Sequence, residues 1–414
     1  MKTTHTFPLF AIGAVASIIA ASARGAGMEE AIRLENSHIT IDDILGAMGD
    51  QSVTTPVQVP RLSSVVDVCA GGYYTAALLR NGTAYTWGFL SDRHPTAVPV
   101  PEPLSSLACG DYHTLGLTAG GRVYSWGLDR DGSLGRASLL GDSTPSAPAL
   151  VEGLGAKKVV SISAALDHSI AVTDSGEVYA WGLSAGGRLG TGAGAAAAAA
   201  PTPAPQLVTK AGGAPLLAET AACGGRRTAV VERGSGKLYL FGVGDFGALG
   251  TGNERPAASP ADISAGLEAV GCAPRKVSVG GDHTLVLCEG GAVVGFGWNE
   301  EGQLGTGGLE NALVPRVVMG SGGDCVDVVA SPYSNSFVLW RNGTVAGCGN
   351  AQSGVLGQIE LRARTEFVTL TLLQPDVITK VAAGFKHAAF LTSEGFLLVA
   401  GDNSFGQLGI EISN

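Results

Sequence analysis

Short apolar runs separated by glycine-rich turns recur along most of the chain. Examples are VVDVCA at 65–70, YTAALL at 74–79 and AYTW at 84–87. Apolar runs of this length, bounded by glycine, are typical of β-strands that are covered on both faces. The pattern therefore predicts an all-β protein that contains many short strands.

The sequence of one turn between two such runs recurs almost unchanged at a distant position. RNGTAYTWG occupies 80–88, and RNGTVAGCG occupies 341–349. Asn-Gly is a strong signal for a two-residue hairpin turn, because both residues tolerate positive φ. We therefore expect a β-hairpin that is repeated along the sequence.

Two glycines separated by five residues mark this hairpin in seven places. The pairs are Gly82/Gly88, Gly121/Gly127, Gly176/Gly182, Gly236/Gly242, Gly291/Gly297, Gly343/Gly349 and Gly395/Gly401. The residue before the second glycine is aromatic in the first five copies, and it is Cys348 and Ala400 in the last two. Successive copies lie 39, 55, 60, 55, 52 and 52 residues apart, which indicates one repeat array rather than several domains.

Two further signatures keep register with the hairpin. Downstream, the motif G-x-L-G follows in every copy except the first, as in GSLG at 132–135 and GQLG at 406–409. Upstream, an apolar run that ends in small residues is followed in four copies by a histidine, namely His113, His168, His283 and His387. The residues at this position in the other copies are Tyr74, Arg227 and Ser334 or Asn335.

The composite repeat resembles that of the regulator of chromosome condensation family. This resemblance implies an all-β fold, a seven-bladed β-propeller over residues 45–414. The segment 45–59 resembles the sequence between later repeats, so we expect it to complete the last blade and close the ring. The aromatic residue before the second glycine should pack between neighbouring blades. Packing should then be weaker where Cys348 and Ala400 replace it.

The repeats differ in length mainly in the segment directly after the Leu-Gly pair. The longest such segment includes 191–206, whose alanine and proline runs predict a flexible loop. The seven cysteines are an odd number without a C-x-x-C pair, which argues against a complete disulfide framework and against a zinc site. We expect most of them to be small buried hydrophobic residues.

Few features of the sequence suggest catalysis. A ring of histidines is a conceivable metal site, but no acid or cysteine accompanies them at a constant position, so we expect each to bond the backbone of a neighbouring blade. Glycine-rich stretches lack the Gly-Lys-Ser/Thr sequence of a P-loop, and no H-E-x-x-H motif is present. We predict no catalytic, metal-binding or cofactor-binding residue and therefore no enzyme. A hydrolase or lyase in the central channel is the remote alternative.

The first 23 residues have the features of a secretory signal peptide. Lys2 precedes an apolar run at 9–20 and small residues at 21–23. The absence of acids and the nearby Arg24 also fit a mitochondrial presequence. We predict a signal or targeting peptide at 1–23, a linker at 24–44, and a secretory or extracellular location with a mitochondrial alternative. No membrane span is expected after removal of the leader.

Two Asn-x-Thr sequons, at Asn81 and Asn342, lie in the hairpin turns. Hairpin turns are exposed, so these asparagines are glycosylation candidates in a secreted eukaryotic protein. Turn geometry alone also explains asparagine at these positions.

The loops between the second glycine and G-x-L-G form the candidate partner surface, because a ring should present them on one face. Acids mixed with phenylalanine suit a protein interface, with the aromatic side chains as anchors. The candidate residues are Asp129, Arg130, Asp131, Asp245, Phe246, Asn299, Glu300, Glu301, Asp402, Asn403 and Phe405. A solvated rim is the alternative interpretation.

Composition and charge narrow the class of partner. Charged residues make up only 15% of the chain, and the formal net charge is −10. This balance gives no electrostatic basis for binding nucleic acid, and it favours a neutral or basic protein.

The leading functional prediction is a non-enzymatic, monomeric propeller that acts as a protein-binding scaffold. The alternatives are an exchange factor or regulator of a small GTPase, and a mitochondrial assembly factor. The ultraviolet-receptor activity known in the family requires clustered tryptophans in GWRHT-like motifs, which this sequence lacks.

Overall fold

The protein is a ring of seven four-stranded antiparallel sheets, so the predicted seven-bladed β-propeller is confirmed. A computed structural model describes residues 52–89, 91–137, 145–192, 201–321, 323–358 and 361–411. The predicted leader at 1–23, the linker at 24–44 and residues 45–51 lie outside the described residues. We number the blades 1 to 7 in chain order.

Each blade begins with a strand that we call its first strand, followed along the sheet by the second. The first strands of blades 1 to 7 are Val65–Ala70 (β2), Leu104–Cys109 (β6), Val159–Ala164 (β10), Ala218–Gly224 (β14), Pro274–Val279 (β18), Cys325–Ala330 (β22) and Ile378–Ala383 (β26). The second strands are Tyr74–Leu79 (β3), His113–Thr118 (β7), His168–Thr173 (β11), Arg227–Glu232 (β15), His283–Cys288 (β19), Asn335–Trp340 (β23) and His387–Thr392 (β27).

The third and fourth strands complete each sheet. The third strands are Ala84–Gly88 (β4), Val123–Gly127 (β8), Val178–Leu183 (β12), Leu238–Gly242 (β16), Val293–Gly297 (β20), Val345–Gly349 (β24) and Leu397–Gly401 (β28). The fourth strands are Thr96–Ala97 (β5), Ser146–Leu150 (β9), Pro201–Leu207 (β13), Ala257–Asp262 (β17), Ala312–Met319 (β21), Arg364–Thr369 (β25) and, for blade 7, Val53–Gln58 (β1).

Short helices occur in the connections. Ser264–Ala269 (α1) is a single six-residue α-helix between β17 and β18, and the 3-10 turns are Ala185–Gly187, Asp245–Gly247, Glu289–Gly291 and Thr371–Leu373. Within the described ranges, no helix has the length and apolar character needed to cross a bilayer.

The first and last strands of the described chain close the ring, as expected. Strand β1 pairs antiparallel with β28, with Val53 opposite Gly401 and Val57 opposite Val399. The first strands also pack against one another around the ring, and β26 returns to β2. These strands therefore surround the central axis.

The core is divided into seven apolar clusters, one between each pair of neighbouring blades. Trp87, for example, is fully buried in one cluster with Leu391, Leu397 and Leu408 of blade 7. The predicted packing of the repeat aromatics between blades is confirmed. This arrangement explains why a single blade cannot fold alone: each of its faces is half of a core.

Other residues occupy part of the ring volume that Cys348 and Ala400 leave beside the neighbouring blade. A Cβ built on Gly305 would lie 2.6 Å from the ring of Phe367, which comes from β25 of blade 6. At Gly357 the corresponding neighbours are Pro56 of β1, at 3.0 Å, and the Ala400 side chain. The fourth strand thus supplies the ring that the third strand lacks.

Two local predictions were wrong in detail. The hairpin turn has three residues rather than two: Leu79 pairs with Thr83, and only Gly82 has positive φ, at 84°. A type I turn followed by a glycine in the left-handed region accounts for this geometry. In the predicted flexible loop 191–206, residues 201–206 belong to β13, and 193–200 lie outside the described residues.

The expectation for the cysteines holds for only three of the seven. Cys223, Cys325 and Cys348 are free and buried. Cys69 and Cys109 form a disulfide between the first strands of blades 1 and 2, and Cys272 and Cys288 form a second disulfide in blade 5. Cysteines on adjacent blades, such as Cys69 and Cys109, are 40 residues apart in sequence although they are neighbours in the fold. Short-range spacing such as C-x-x-C therefore gave no signal for this disulfide.

Candidate functional site

The ring has two faces, which the strand directions define. In blade 1, Tyr74 at the start of β3 lies opposite Gly88 at the end of β4, and the same register recurs in the other blades. The loops between first and second strands and between third and fourth strands therefore emerge at one end, which we call the loop face. All eleven candidate partner residues lie in loops on this face.

The opposite end carries the hairpin turns between second and third strands, and we call it the turn face. Both sequons are exposed there. The side-chain oxygens of Asn81 and Asn342 each accept a hydrogen bond at 3.0 Å, from the backbone N–H groups of Thr83 and Thr344. Each asparagine therefore stabilises its own turn.

Four of the candidate residues are buried, namely Asp129, Asn299, Asp402 and Asn403. The Asn299 side-chain oxygen accepts a hydrogen bond from the Leu304 N–H at 2.8 Å, and Asn403 accepts one from Leu408 at 2.9 Å. These bonds brace the G-x-L-G loops from within. The buried four therefore support the loop face rather than present groups for contact.

The other seven candidates are exposed or half-buried on the loop face. They are Arg130, Asp131, Asp245, Phe246, Glu300, Glu301 and Phe405. Phe246 has a φ of 58°, in the left-handed region that only glycine adopts without strain. A strained backbone that presents a partly exposed ring is typical of a functional position.

Phe405 belongs to a larger group of rings over blades 7, 1 and 2, which we call the first aromatic group. Its ring centroid lies 5.1 Å from that of Tyr73 and 5.3 Å from that of Phe89. Tyr73 also contacts Phe385 at 5.1 Å, and Phe89 contacts Tyr112 at 6.4 Å. Sequence analysis missed these other four residues, although Tyr73 and Tyr112 share one signal: both immediately precede a second strand.

A second aromatic group covers blades 4, 5 and 6. Trp298 lies between Phe246 and Tyr333, with centroid distances of 6.1 and 6.4 Å. Tyr333 is 43% exposed, which is unusual for a large ring. The two groups together place partly exposed rings on five of the seven blades, and the Tyr112 ring of blade 2 lies buried at the end of the first group.

Charged side chains surround these rings. Arg226 contacts Asp245 at 2.9 Å beside Phe246, and Arg130 lies 5.2 Å from the centre of the Tyr112 ring. Asp111 is buried beside Tyr112, and burial, aided by the charge of Asp167, raises its pKa to about 8. Among the seven exposed or half-buried candidates, acids outnumber the single Arg130.

The repeat histidines lie inside the ring rather than on this surface. Each donates through Nε2 to a hydroxyl of the next blade: His113 to Ser169, His168 to Thr228, His283 to Ser336 and His387 to Thr75, at 2.7 to 3.0 Å. Each hydroxyl in turn donates to a backbone carbonyl of the G-x-L-G motif of the histidine's own blade. Because the hydroxyl proton is used in this way, Nε2 must be the protonated ring nitrogen.

This arrangement corrects the expected backbone partner to a side-chain hydroxyl, and it explains the shared register of the two motifs. Burial lowers the pKa of His113 and His387 to about 4 and that of His283 to about 3. The histidines are therefore neutral near pH 7. In the described part of the chain, no cluster of three or more histidine, cysteine or acidic side chains is arranged to hold a metal.

The sequence pattern of the regulator of chromosome condensation (RCC1) repeat matches this chain throughout the ring. One form matches residues 120–172, 175–231, 235–287 and 290–339. A second form matches 65–92, 105–133, 159–188, 275–303 and 378–407.

Comparison with known proteins gives relatives with the same repeat. The ultraviolet-B receptor UVR8 of Arabidopsis thaliana is 30% identical over 68% of this chain and 61% of the receptor. The mitochondrial RCC1 domain-containing protein RUG3 of the same plant is 30% identical over 57% of this chain and 54% of its own length. The matches thus span less than two thirds of either relative.

A solved structure has the same propeller fold as this chain. Prp20p of Saccharomyces cerevisiae, a protein studied for its binding to Gsp1p and histones, superposes with a TM-score of 0.65 at 20% identity. The match covers 92% of this chain and 88% of Prp20p. With its repeats, its seven blades and these matches, this chain belongs to the RCC1 repeat family.

Proposed function

We propose that this protein is a non-enzymatic scaffold that binds another protein through its loop face. The observation that carries the proposal is the pair of aromatic groups, which presents partly exposed rings on five blades of one face. Aromatic side chains are the commonest anchors of protein interfaces, since they bury large area at low entropic cost. The buried polar side chains of the repeats, by contrast, are occupied in holding blades together.

The charge of the loop face supports a basic partner. Asp131, Asp245, Glu300 and Glu301 lie on the same face as the aromatic groups, and each is exposed or half-buried. Acids at the rim of an aromatic patch accelerate encounter with a basic surface and add specificity. We therefore expect a basic protein, bound more weakly at high salt.

Regulation of a small GTPase is the second candidate, and membership of the RCC1 family favours it. The two candidates differ in one measurable respect. A regulator of nucleotide exchange binds its GTPase most tightly when the GTPase is empty, whereas a passive scaffold is indifferent to nucleotide. Recovery of the partner with and without added GTP and Mg²⁺ separates them.

For location, we propose the mitochondrion. The relative RUG3 is a mitochondrial protein by name, whereas none of the comparisons supports the secretory prediction. Import of the full chain into isolated mitochondria, with cleavage near residue 23, tests this proposal. Because disulfides persist in oxidising compartments, the oxidation state of Cys69 and Cys109 in protein from its own cells reports which space it occupies.

The binding role is tested by capture of tagged protein from its own cells. We expect Phe246→Ser and Phe405→Ser together to reduce recovery of the specific partner at least tenfold, since each removes an anchor. The matched control is Val317→Ser, because Val317 is 49% exposed but lies on β21 at the outside of blade 5. Equal loss in the control, or no loss in the double variant, would contradict the proposal.

A further inference from the structure

A cavity of about 70 Å³ opens on the loop face between blades 6 and 7. Blade 6 contributes Tyr333, Ser334, Asn350 and Ser353, and blade 7 contributes Phe385 and Lys386. One water molecule needs about 10–15 Å³ of such space. The cavity is therefore large enough for a small polar group together with water.

Ser334 gives this cavity an unsatisfied hydrogen-bonding group. The residue is fully buried, and its hydroxyl has no hydrogen-bond partner among the described residues. A buried hydroxyl without a partner is costly, so such groups are uncommon in folded proteins. Ser334 lines the cavity with its hydroxyl closed off from solvent, so rotation of its side chain would bring the hydroxyl to a ligand there.

Lys386 gives the cavity its charge. It is the only charged lining residue, it is half-buried, and it forms no ion pair within the described part of the chain. Most other described lysines are paired with an acid, for example Lys276 with Asp327 and Lys237 with Asp262. An unpaired ammonium beside an unpaired hydroxyl favours an anion that accepts hydrogen bonds from both.

Neighbouring contacts hold the wall of the cavity in place. The Asn350 amide donates to Glu301 of blade 5 at 3.1 Å, and its oxygen accepts the backbone N–H of Gln352 at 2.9 Å. The amide therefore remains fixed, and it keeps the Glu301 carboxylate engaged. A polar recess with walls fixed in this way limits the reorganisation that a ligand group requires.

The cavity also lies where the two aromatic groups meet. Tyr333 is the last ring of the second group, and Phe385 is the last ring of the first. A partner that covers both groups must pass over the opening between them. The cavity is thus placed at the centre of the proposed docking surface rather than at its edge.

We propose that this cavity receives the carboxylate of one glutamate or aspartate side chain of the docked protein, with Lys386 and Ser334 as its hydrogen-bond donors. The inference rests on the proposed binding function. It adds a specific requirement to it: a partner that is basic overall carries one acidic residue at the point that meets blades 6 and 7.

The test uses a small probe and so does not depend on capture of the partner. Full-length protein carries 3-fluorotyrosine at Tyr333, and ¹⁹F NMR follows its titration with N-acetyl-glutamate methylamide. We expect a saturable shift with a dissociation constant on the order of 1–10 mM, as suits so small a ligand. The glutamine and lysine analogues should bind at least several-fold more weakly.

Variants assign the effect to the cavity. Lys386→Gln should weaken glutamate-analogue binding about tenfold, and Ser334→Ala about threefold. Lys158→Gln, the same change at an exposed lysine of the turn face, should leave binding unchanged. Unaltered melting temperatures of the variants verify folding. No saturable shift, equal shifts with all three analogues, or equal weakening by Lys158→Gln would each overturn the proposal.

The two proposals fail in different ways. Absence of the ¹⁹F response would contradict only the carboxylate site and would not bear on partner binding by the loop face. Loss of partner capture by the aromatic variants remains a separate result, because neither Phe246 nor Phe405 lines the cavity.

Discussion

Single backbone carbonyls connect the three signatures of the repeat. The carbonyl of Gln407 accepts hydrogen bonds from the Thr75 hydroxyl at 2.7 Å and from the Trp87 indole at 2.9 Å. The carbonyl of Ser133 accepts the equivalent bonds from Ser169 and Trp181. G-x-L-G therefore recurs in register with the aromatic residue because one blade's loop receives donors from the next blade.

At the same scale, the buried histidines predict acid sensitivity. The pKa of His283 is about 3 in the fold, against 6.5 for an ordinary histidine, so the unfolded chain binds the additional proton between these values. Stability is complete above pH 6.5 and is lost as pH falls through this window. Between pH 7 and pH 5 the wild type should lose about 2 kcal/mol more than His283→Asn, by urea unfolding.

Asparagine is the appropriate replacement, since Asn335 occupies the same position in blade 6. At pH 7 the variant itself should be less stable by about 1–3 kcal/mol, because Ser336 loses its donor. Identical pH dependence in both proteins would refute the neutral, buried state of His283.

A second residue-scale prediction concerns the last glycine of G-x-L-G. Gly190 has a φ of 65°, and an added Cβ would lie 2.6 Å from the ring of Phe241 in the next blade. Gly155 has a φ of 58° but nothing within 4 Å of the same position. Gly190→Ala should therefore cost about 2–3 kcal/mol more than Gly155→Ala in urea unfolding. Equal losses of unfolding free energy in the two variants would mean that the positive φ alone, and not contact with Phe241, requires glycine at position 190.

At the scale of the element, the repeat pattern predicted the inner three strands of each blade but not the fourth. The inner strands are largely buried, so their residues form apolar runs between glycines. The fourth strands are mostly exposed, as in PTPAPQL of β13, and carry no such pattern. The replacement of a missing ring by Phe367 or Pro56 could not be predicted, since it depends on neighbours across the sheet.

The candidate site was predictable to a similar degree. The repeat register placed all eleven residues on one face, but it did not separate acids that point outward from those such as Asp129 that accept backbone hydrogen bonds. The aromatic groups were missed because their members come from two kinds of loop and from several blades. Their proximity arises only from closure of the ring.

Strand β1 predicts a strong dependence of stability on the N-terminal segment. A chain that begins at residue 59 lacks β1, which exposes the edge of β28 and removes Pro56 from its place beside Ala400. Such a chain should lose on the order of 3 kcal/mol or more and tend to self-associate through the open edge. A chain that begins at residue 45 should match the full-length protein. Thermal unfolding and sedimentation measure both effects.

At the scale of the whole molecule, stability and recognition are separated in space. Histidines, glycines and buried rings hold neighbouring blades together, whereas the partly exposed rings of the two aromatic groups lie on the loop face. Seven blades in a closed ring allow these loops to form a single surface that no individual blade could present. The central claim is therefore that this one face binds the partner.

Site-specific photocrosslinking in the protein's own cells tests this claim most directly. Benzoylphenylalanine replaces Tyr333 on the loop face or Asn342 on the turn face, two exposed positions in the same blade. The account predicts one discrete crosslinked protein from position 333, abolished by Phe246→Ser with Phe405→Ser, and none from position 342. A crosslink from position 342 alone, or equal crosslinking from both faces, would contradict it.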